Sequence, residues 1–395
     1  MSQSAGESEV ERLNSLAVGA ITSNDGQRPV PDTLPRRDLW LLPLVVILVF
    51  VVVLGASELV ANQLFPQRGR FGCGVNAASR ARHFKPDCVT YYKNSEGPDV
   101  EYRFNDCGYR SSAPCGPKRP GTVRIVFMGT SVTMGLYVPQ DQTFAARTEK
   151  VLGEVCPRPV EVQNMGTAVS MASQPELVGE ALRLSPDVVV LTVSPYDIEE
   201  PPAATRSKPE TETPLAKISA AWQKLKLRIR NSRFALVAEH FALQDEQVLY
   251  RVFLSNGASR NLMSSRPTPM GKRMYSQFAA TLDEIIPRFR SAGTPVVVIA
   301  VPNRIVAAMV SNHSRVEDID PWSFGRRISE LALQRGALPV DVTPKFAASP
   351  HAERLFYAVD NHPKGEAHAF IAEALAERLT DGSIPQMSSC RASQP

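Results

Sequence analysis

The sequence predicts a three-layer α/β sandwich with a parallel central sheet, preceded by one N-terminal transmembrane helix. Three observations lead there. Between residues 121 and 380, short apolar runs alternate with segments of helical periodicity, the pattern of βα units covering both faces of one sheet. Those runs are apolar at nearly every position instead of alternating, as strands buried on both faces require. Finally, Leu39–Ala56 contains no charged residue and is long enough for a helix to cross a hydrocarbon layer of roughly 30 Å.

In chain order, residues 1–38 are polar, rich in Ser, Gly and Pro, and without periodicity, which reads as a disordered tail. Residues 39–60 are the span. Residues 61–120 show few helical signals; Val100–Phe104 alternates like a strand, and Asn105-Asp106-Cys107-Gly108 reads as a turn. This is an extended lead-in packed on the main domain. The strands expected next are Val123–Met128, Val160–Asn164, Asp187–Val193, Pro295–Val301 and Leu338–Val342. The helices between and after them are Phe144–Leu152, Pro175–Leu184, Met274–Arg290, Trp322–Arg335 and Glu366–Leu379. Residues 199–269 interrupt this order as a Pro-rich insertion with Ile218, Trp222, Leu225 and Ile229 at helical spacing among basic residues. That stripe either packs on the domain or lies on an anionic membrane surface. Following a strand's C-terminal end, the insertion is placed to act as a lid or substrate-selecting part. Residues 381–395 form a flexible tail.

Composition is that of a globular protein, with 43% hydrophobic and 21% charged residues, and the net charge of +4 is too small and scattered for nucleic acid. Four of the six cysteines, Cys73, Cys88, Cys107 and Cys115, fall just after the span. None forms a Cys-x-x-Cys pair, so disulfides are a better reading than zinc, and disulfides need an oxidising compartment. The pairing itself stays open. Arg36 and Arg37 before the span are matched by Arg68 and Arg70 after it, so charge decides little about orientation. The cysteines place the tail in the cytoplasm and the main domain in the periplasm, beyond the inner membrane.

The chemistry centres on Ser131, which follows the buried run Val123–Met128 on a Gly-bounded turn. In open α/β sheets, ligands bind at the C-terminal strand edge. A serine hydroxyl needs a base, and the base a carboxylate to orient it. Of the six histidines, only His362 lies in a loop before a final helix with an acid close by, Asp360. An extended backbone there would put both side chains on one side. His368, on the following helix, is expected at the surface. The competing structural roles are a helix N-cap for Ser131 and Asp360, and a tight turn for Gly166. No metal or cofactor is called for.

These motifs, in this order, resemble the SGNH, or GDSL-type, hydrolases, whose flavodoxin-like sandwich agrees with the expected fold. Gly129-Thr130-Ser131 with Thr133 and Gly135 is similar to the family's first block, Asn164-Met165-Gly166 to its second, Ser194-Pro195-Tyr196-Asp197 to its third and Asp360-Asn361-His362-Pro363 to its fifth. The resemblance implies Ser131 as nucleophile, His362 as base, Asp360 as its partner, and the Ser131 and Gly166 amides as oxyanion donors. Three departures stand out. Thr130 replaces the usual Asp, Tyr196 the usual oxyanion-hole Asn, and the Asp–His spacing is one residue shorter than usual. Asn164 or the Tyr196 hydroxyl are candidate replacements for the lost donor.

The resemblance also implies an esterase acting on acyl, above all acetyl, esters of extracytoplasmic glycans or related substrates. The alternatives are an O-acyltransferase working on cell-surface polysaccharide with a polytopic membrane partner that delivers the acyl group, or a binding protein that kept the fold without the chemistry.

Overall fold

In a computed structural model of the chain, the described residues are 38–69, 72–74, 84–167, 169–198, 232–255 and 257–390. The polar tail, all but its last residue, and the basic stripe at 217–233, all but its last two residues, lie outside them. Two compact units divide the chain, Met1–Ser57 and Glu58–Pro395. The first described helix, α1 (Asp38–Leu64), is apolar throughout its middle and exposes its side chains from Trp40 to Leu54. Among the described residues it alone is long and apolar enough to span a membrane.

Five parallel strands form the main sheet: β3 (Val123–Met128), β4 (Val160–Asn164), β5 (Val188–Val193), β6 (Val296–Ala300) and β7 (Leu338–Asp341). Their spatial order is β4-β3-β5-β6-β7, each in parallel register with its neighbour. β3, β5 and β6 are buried at every position, which is why their sequences run apolar without alternation. Even Arg124 within β3 is buried, and pairs with Glu161 at 2.8 Å. The fold is therefore the expected α/β sandwich with a parallel sheet at its centre.

Helices cover both faces. On one, Val123, Ile125 and Phe127 pack against α3 (Phe144–Val155), α9 (Arg304–Ser311) and α12 (Gly365–Thr380). On the other, Val126 and Met128 meet α4 (Gln174–Arg183), α8 (Pro269–Ser291) and α10 (Ser323–Gln334). Alternate residues of β3 thus serve opposite cores, as the strand's two-residue period dictates. Two short helices, α2 (Ser131–Met134) and α11 (Thr343–Ala347), follow β3 and β7, and the described part of the insertion folds as α5 (Arg233–Ala242), α6 (Glu246–Ser255) and α7 (Gly257–Leu262).

The lead-in carries an antiparallel hairpin, β1 (Val89–Lys93) with β2 (Asp99–Arg103). It has a small core of its own, in which Phe84 stacks on Phe104 and Val100 and Tyr102 are buried beside the Cys73–Cys88 disulfide. Cys107 pairs with Cys115 and Cys156 with Cys390. The last bridge corrects one expectation. Residues 381–390 are not a loose tail, because Ile384, Met387 and Cys390 are buried against the domain and Cys390 is tied to the end of α3.

Candidate active site

The chain leaves β3 toward β4 on one side and later returns to β5 on the other, so the sheet reverses direction at β3. Such a switch point opens a crevice at the C-terminal strand edge, and Ser131 stands there. Gly129, the hinge out of β3, has a φ of +148°, and a Cβ there would lie 2.2 Å from Thr133 Oγ1. Only glycine makes this turn. Ser131 is then the first residue of α2, where backbone N–H groups have no intrahelical acceptor. Arg110 from the lead-in fixes the other end of this turn, donating to the carbonyls of Met134, Gly135 and Val138. Burial pulls its guanidinium down to about 10.

Two hundred and thirty-one positions further on, His362 Nε2 sits 2.8 Å from Ser131 Oγ. Its Nδ1 lies 2.5 Å from Asp360 Oδ1. A carboxylate on Nδ1 keeps the proton there and leaves Nε2 as an unprotonated acceptor facing the serine hydroxyl. The pair meets for a reason different from the extended backbone expected. Asn361 adopts a left-handed φ of +66°, a conformation asparagine tolerates better than most residues. Its N–H donates to the Tyr357 carbonyl while the Tyr357 N–H donates to the His362 carbonyl. This tight loop turns Asp360 back onto the imidazole despite the short spacing.

Tyr137 completes the surroundings and had no sequence signal. Its ring meets His362 edge-on at 5.4 Å, and its backbone has a φ of +65°. Burial, with the charge of Asp360 second, pushes this phenol's pKa up. A non-glycine residue held there marks a position that the surroundings over-determine.

The expected oxyanion donors divide. Gly166 lies against α2, the helix that Ser131 opens: a Cβ there would fall 2.2 Å from Met134 N. Its N–H, however, donates to Asn164 Oδ1 at 3.0 Å, and Asn164 Nδ2 donates to the Thr133 carbonyl at 2.9 Å. Asn164 is thus a buried brace between β4 and the Ser131 turn, with its Oδ1 and one of its two amide hydrogens engaged. Tyr196 is 49% exposed, yet its phenol lies near enough to Asp360 to feel that carboxylate's charge. Burial of that oxygen raises its pKa, so the hydroxyl stays a donor at neutral pH.

The Thr130 departure has a compensation. Thr130 Oγ1 donates to Asp197 Oδ1 at 2.6 Å, while Asp197 Oδ2 accepts from the Ser194 N–H and hydroxyl. First and third blocks are thereby joined through one buried carboxylate, whose pKa burial raises.

His368 is a correction. It is fully buried, accepts from the Phe144 N–H through Nδ1 at 3.1 Å and stacks on Phe144. Ala367, His368, Ile371, Ala372 and Leu375 together form the core stripe of α12. Burial pushes its pKa from 6.5 down to about 3. Below pH 6.5 the unfolded chain binds a proton that the folded chain refuses until about pH 3, so stability falls as pH drops through that window. From pH 7 to pH 5 the loss through this group is about 2 kcal/mol. Urea unfolding of wild type and His368→Gln at both pH values measures it: the variant loses that part of the pH dependence, and equal slopes would refute it.

No family model matches the chain, and no curated protein matches it. Among solved structures, it is similar to an acetyl xylan esterase from Geobacillus stearothermophilus, at 14% identity over 69% of this chain and 97% of that one, with a TM-score of 0.36. It is also similar to the lipase/acylhydrolase from Enterococcus faecalis, at 11% identity over 69% and 100%, with a TM-score of 0.38. A third likeness is to TesA, at 13% identity over 65% and 98%, with a TM-score of 0.37.

Proposed function

We propose that this chain is a membrane-anchored serine esterase of the SGNH kind, acting on acetyl or related acyl esters of extracytoplasmic glycans. The observation that carries the reading is the continuous relay from Ser131 Oγ through the His362 imidazole to the Asp360 carboxylate. Ser131 Oγ attacks the acyl carbonyl as His362 Nε2 takes its proton. The resulting oxyanion is held by the Ser131 N–H and the Tyr196 hydroxyl; the Gly166 N–H joins if it leaves Asn164. Collapse expels the alcohol, which takes the proton back from His362, and leaves Ser131 acylated. Water, deprotonated by the same imidazole, then releases the acid.

Anchoring rests on the apolar helix α1. The extracytoplasmic side, beyond the inner membrane, rests on three disulfides, which an oxidising compartment maintains. The acetyl and glycan preference comes from the SGNH resemblance.

The test supplies the full-length chain with an acetylated oligosaccharide, and separately with an activated acetyl ester plus an unacetylated one. Mass spectrometry follows the products. Free acetate in both arms supports the esterase. An acetylated oligosaccharide in the second arm replaces it with an O-acyltransferase that requires a membrane partner as donor. No Ser131-dependent product in either arm leaves a binding protein. For the oxyanion assignment, Tyr196→Phe lowers kcat by about 10²-fold with KM little changed; a change confined to KM would remove Tyr196 from that role.

A further inference from the structure

The turn between β1 and β2 carries a buried carboxylate, Glu96, that takes no part in the proton relay. Its side chain is only 2% exposed. Oε2 accepts from the Asp360 N–H at 2.9 Å and from the Val359 N–H at 3.0 Å. Oε1 receives the Nδ1 proton of His240, on insertion helix α5, at 2.6 Å. A carboxylate removed from water is tolerated only where donors replace its hydration, and here the donors come from two distant segments of the chain. One of them is the loop that holds Asp360 and His362.

The hairpin that presents Glu96 is itself well fixed. The Cys73–Cys88 disulfide anchors its base, Tyr92 stacks on Tyr137 beside the imidazole, and Arg233 donates to Ser95 in the same turn. In the loop, by contrast, Asp360 reaches His362 only through the left-handed Asn361, and its side-chain position follows directly from where its own backbone N–H is held.

We infer that Glu96 is a positioning residue: by gripping the Val359 and Asp360 amides it sets the Asp360 carboxylate against His362, and through His240 it ties that setting to the insertion. The inference rests on the reading of Ser131, His362 and Asp360 as the reacting triad. The lead-in is then a working part of the active site, supplying from outside the α/β sandwich a group that the sandwich lacks.

The experiment measures turnover of a small acetyl ester, and the rate at which a serine-directed phosphonate labels Ser131, in full-length wild type, Glu96→Ala, Glu96→Gln and Asp360→Asn, and in Glu96→Ala and Glu96→Gln each combined with Asp360→Asn. Glu96→Ala lowers kcat and the labelling rate by about 10²-fold, the scale of an angstrom-sized misplacement, with KM nearly unchanged. Glu96→Gln keeps an acceptor for one amide and recovers part of the loss. In the Asp360→Asn background either Glu96 change costs little more, because a group that acts through Asp360 has nothing left to position. If Glu96→Ala does not fold, Glu96→Gln alone carries the same comparison. Equal losses in both backgrounds, or a folded Glu96→Ala with wild-type kcat, overturn the inference while leaving the triad intact. Wild type that neither turns over the ester nor labels at Ser131 overturns the triad reading, and the inference with it.

Discussion

Ser131→Ala lowers kcat for a small acetyl ester by about 10⁶-fold, the loss seen when a triad nucleophile is removed. Among the described residues, neither threonine of the turn is placed to take over. Thr130 Oγ1 is committed to Asp197 at 2.6 Å, and Thr133, although buried, lies beneath the Gly129 hinge. The fold does not depend on the Ser131 hydroxyl. The turn is set by the glycine at 129, the Asn164 brace and the Arg110 grip on three carbonyls, so the variant unfolds at the wild-type temperature. Steady-state hydrolysis beside a thermal melt checks both statements. Retention of a tenth of the wild-type rate would mean that the hydrolysis arises elsewhere.

Asp360→Asn is the second large effect, about 10⁴-fold in kcat. The effect works through the imidazole tautomer. A carboxylate 2.5 Å from Nδ1 holds the proton there; an amide can instead present its N–H to Nδ1, which moves the imidazole proton to Nε2 and leaves Ser131 without a base. The loop keeps its shape, because the grip of Glu96 falls on the Asp360 backbone N–H and the Tyr357–His362 bonds are also backbone. The expected result is a fall in kcat at nearly constant KM with an unchanged melt. A loss below tenfold would make Asp360 a loop residue with no catalytic part.

What could be read from the sequence follows how much of each element's logic is local. β3, β5 and β6 are buried on both faces and announce it in largely apolar runs, and Ser131 was legible on the turn that follows the first of them. α9 was missed for a related reason: Arg304 through Val310 are all buried, so no polar face marks a helical period. α5 was missed from the opposite side, since none of its residues is buried and its pattern has little contrast. His368 was misjudged by residue type, when its phase along α12 places it in the core stripe. The approach of Asp360 to His362 depends on one left-handed residue, which no periodicity reveals. Tyr137 and Glu96 owe their places entirely to tertiary packing, brought to the site from a turn and from a hairpin outside the sandwich. The Tyr196 substitution was visible at once, but not the bond from Asn164 to the Thr133 carbonyl.

The central claim is that Ser131 is made nucleophilic by His362. Its most direct measurement is to treat the full-length chain with a serine-directed phosphonate and locate the adduct by peptide mass spectrometry, in wild type and in His362→Ala. A single adduct on Ser131 in wild type, with labelling slowed by orders of magnitude in the variant, is the predicted result. An adduct on another residue, no adduct, or equal labelling of both proteins would contradict it.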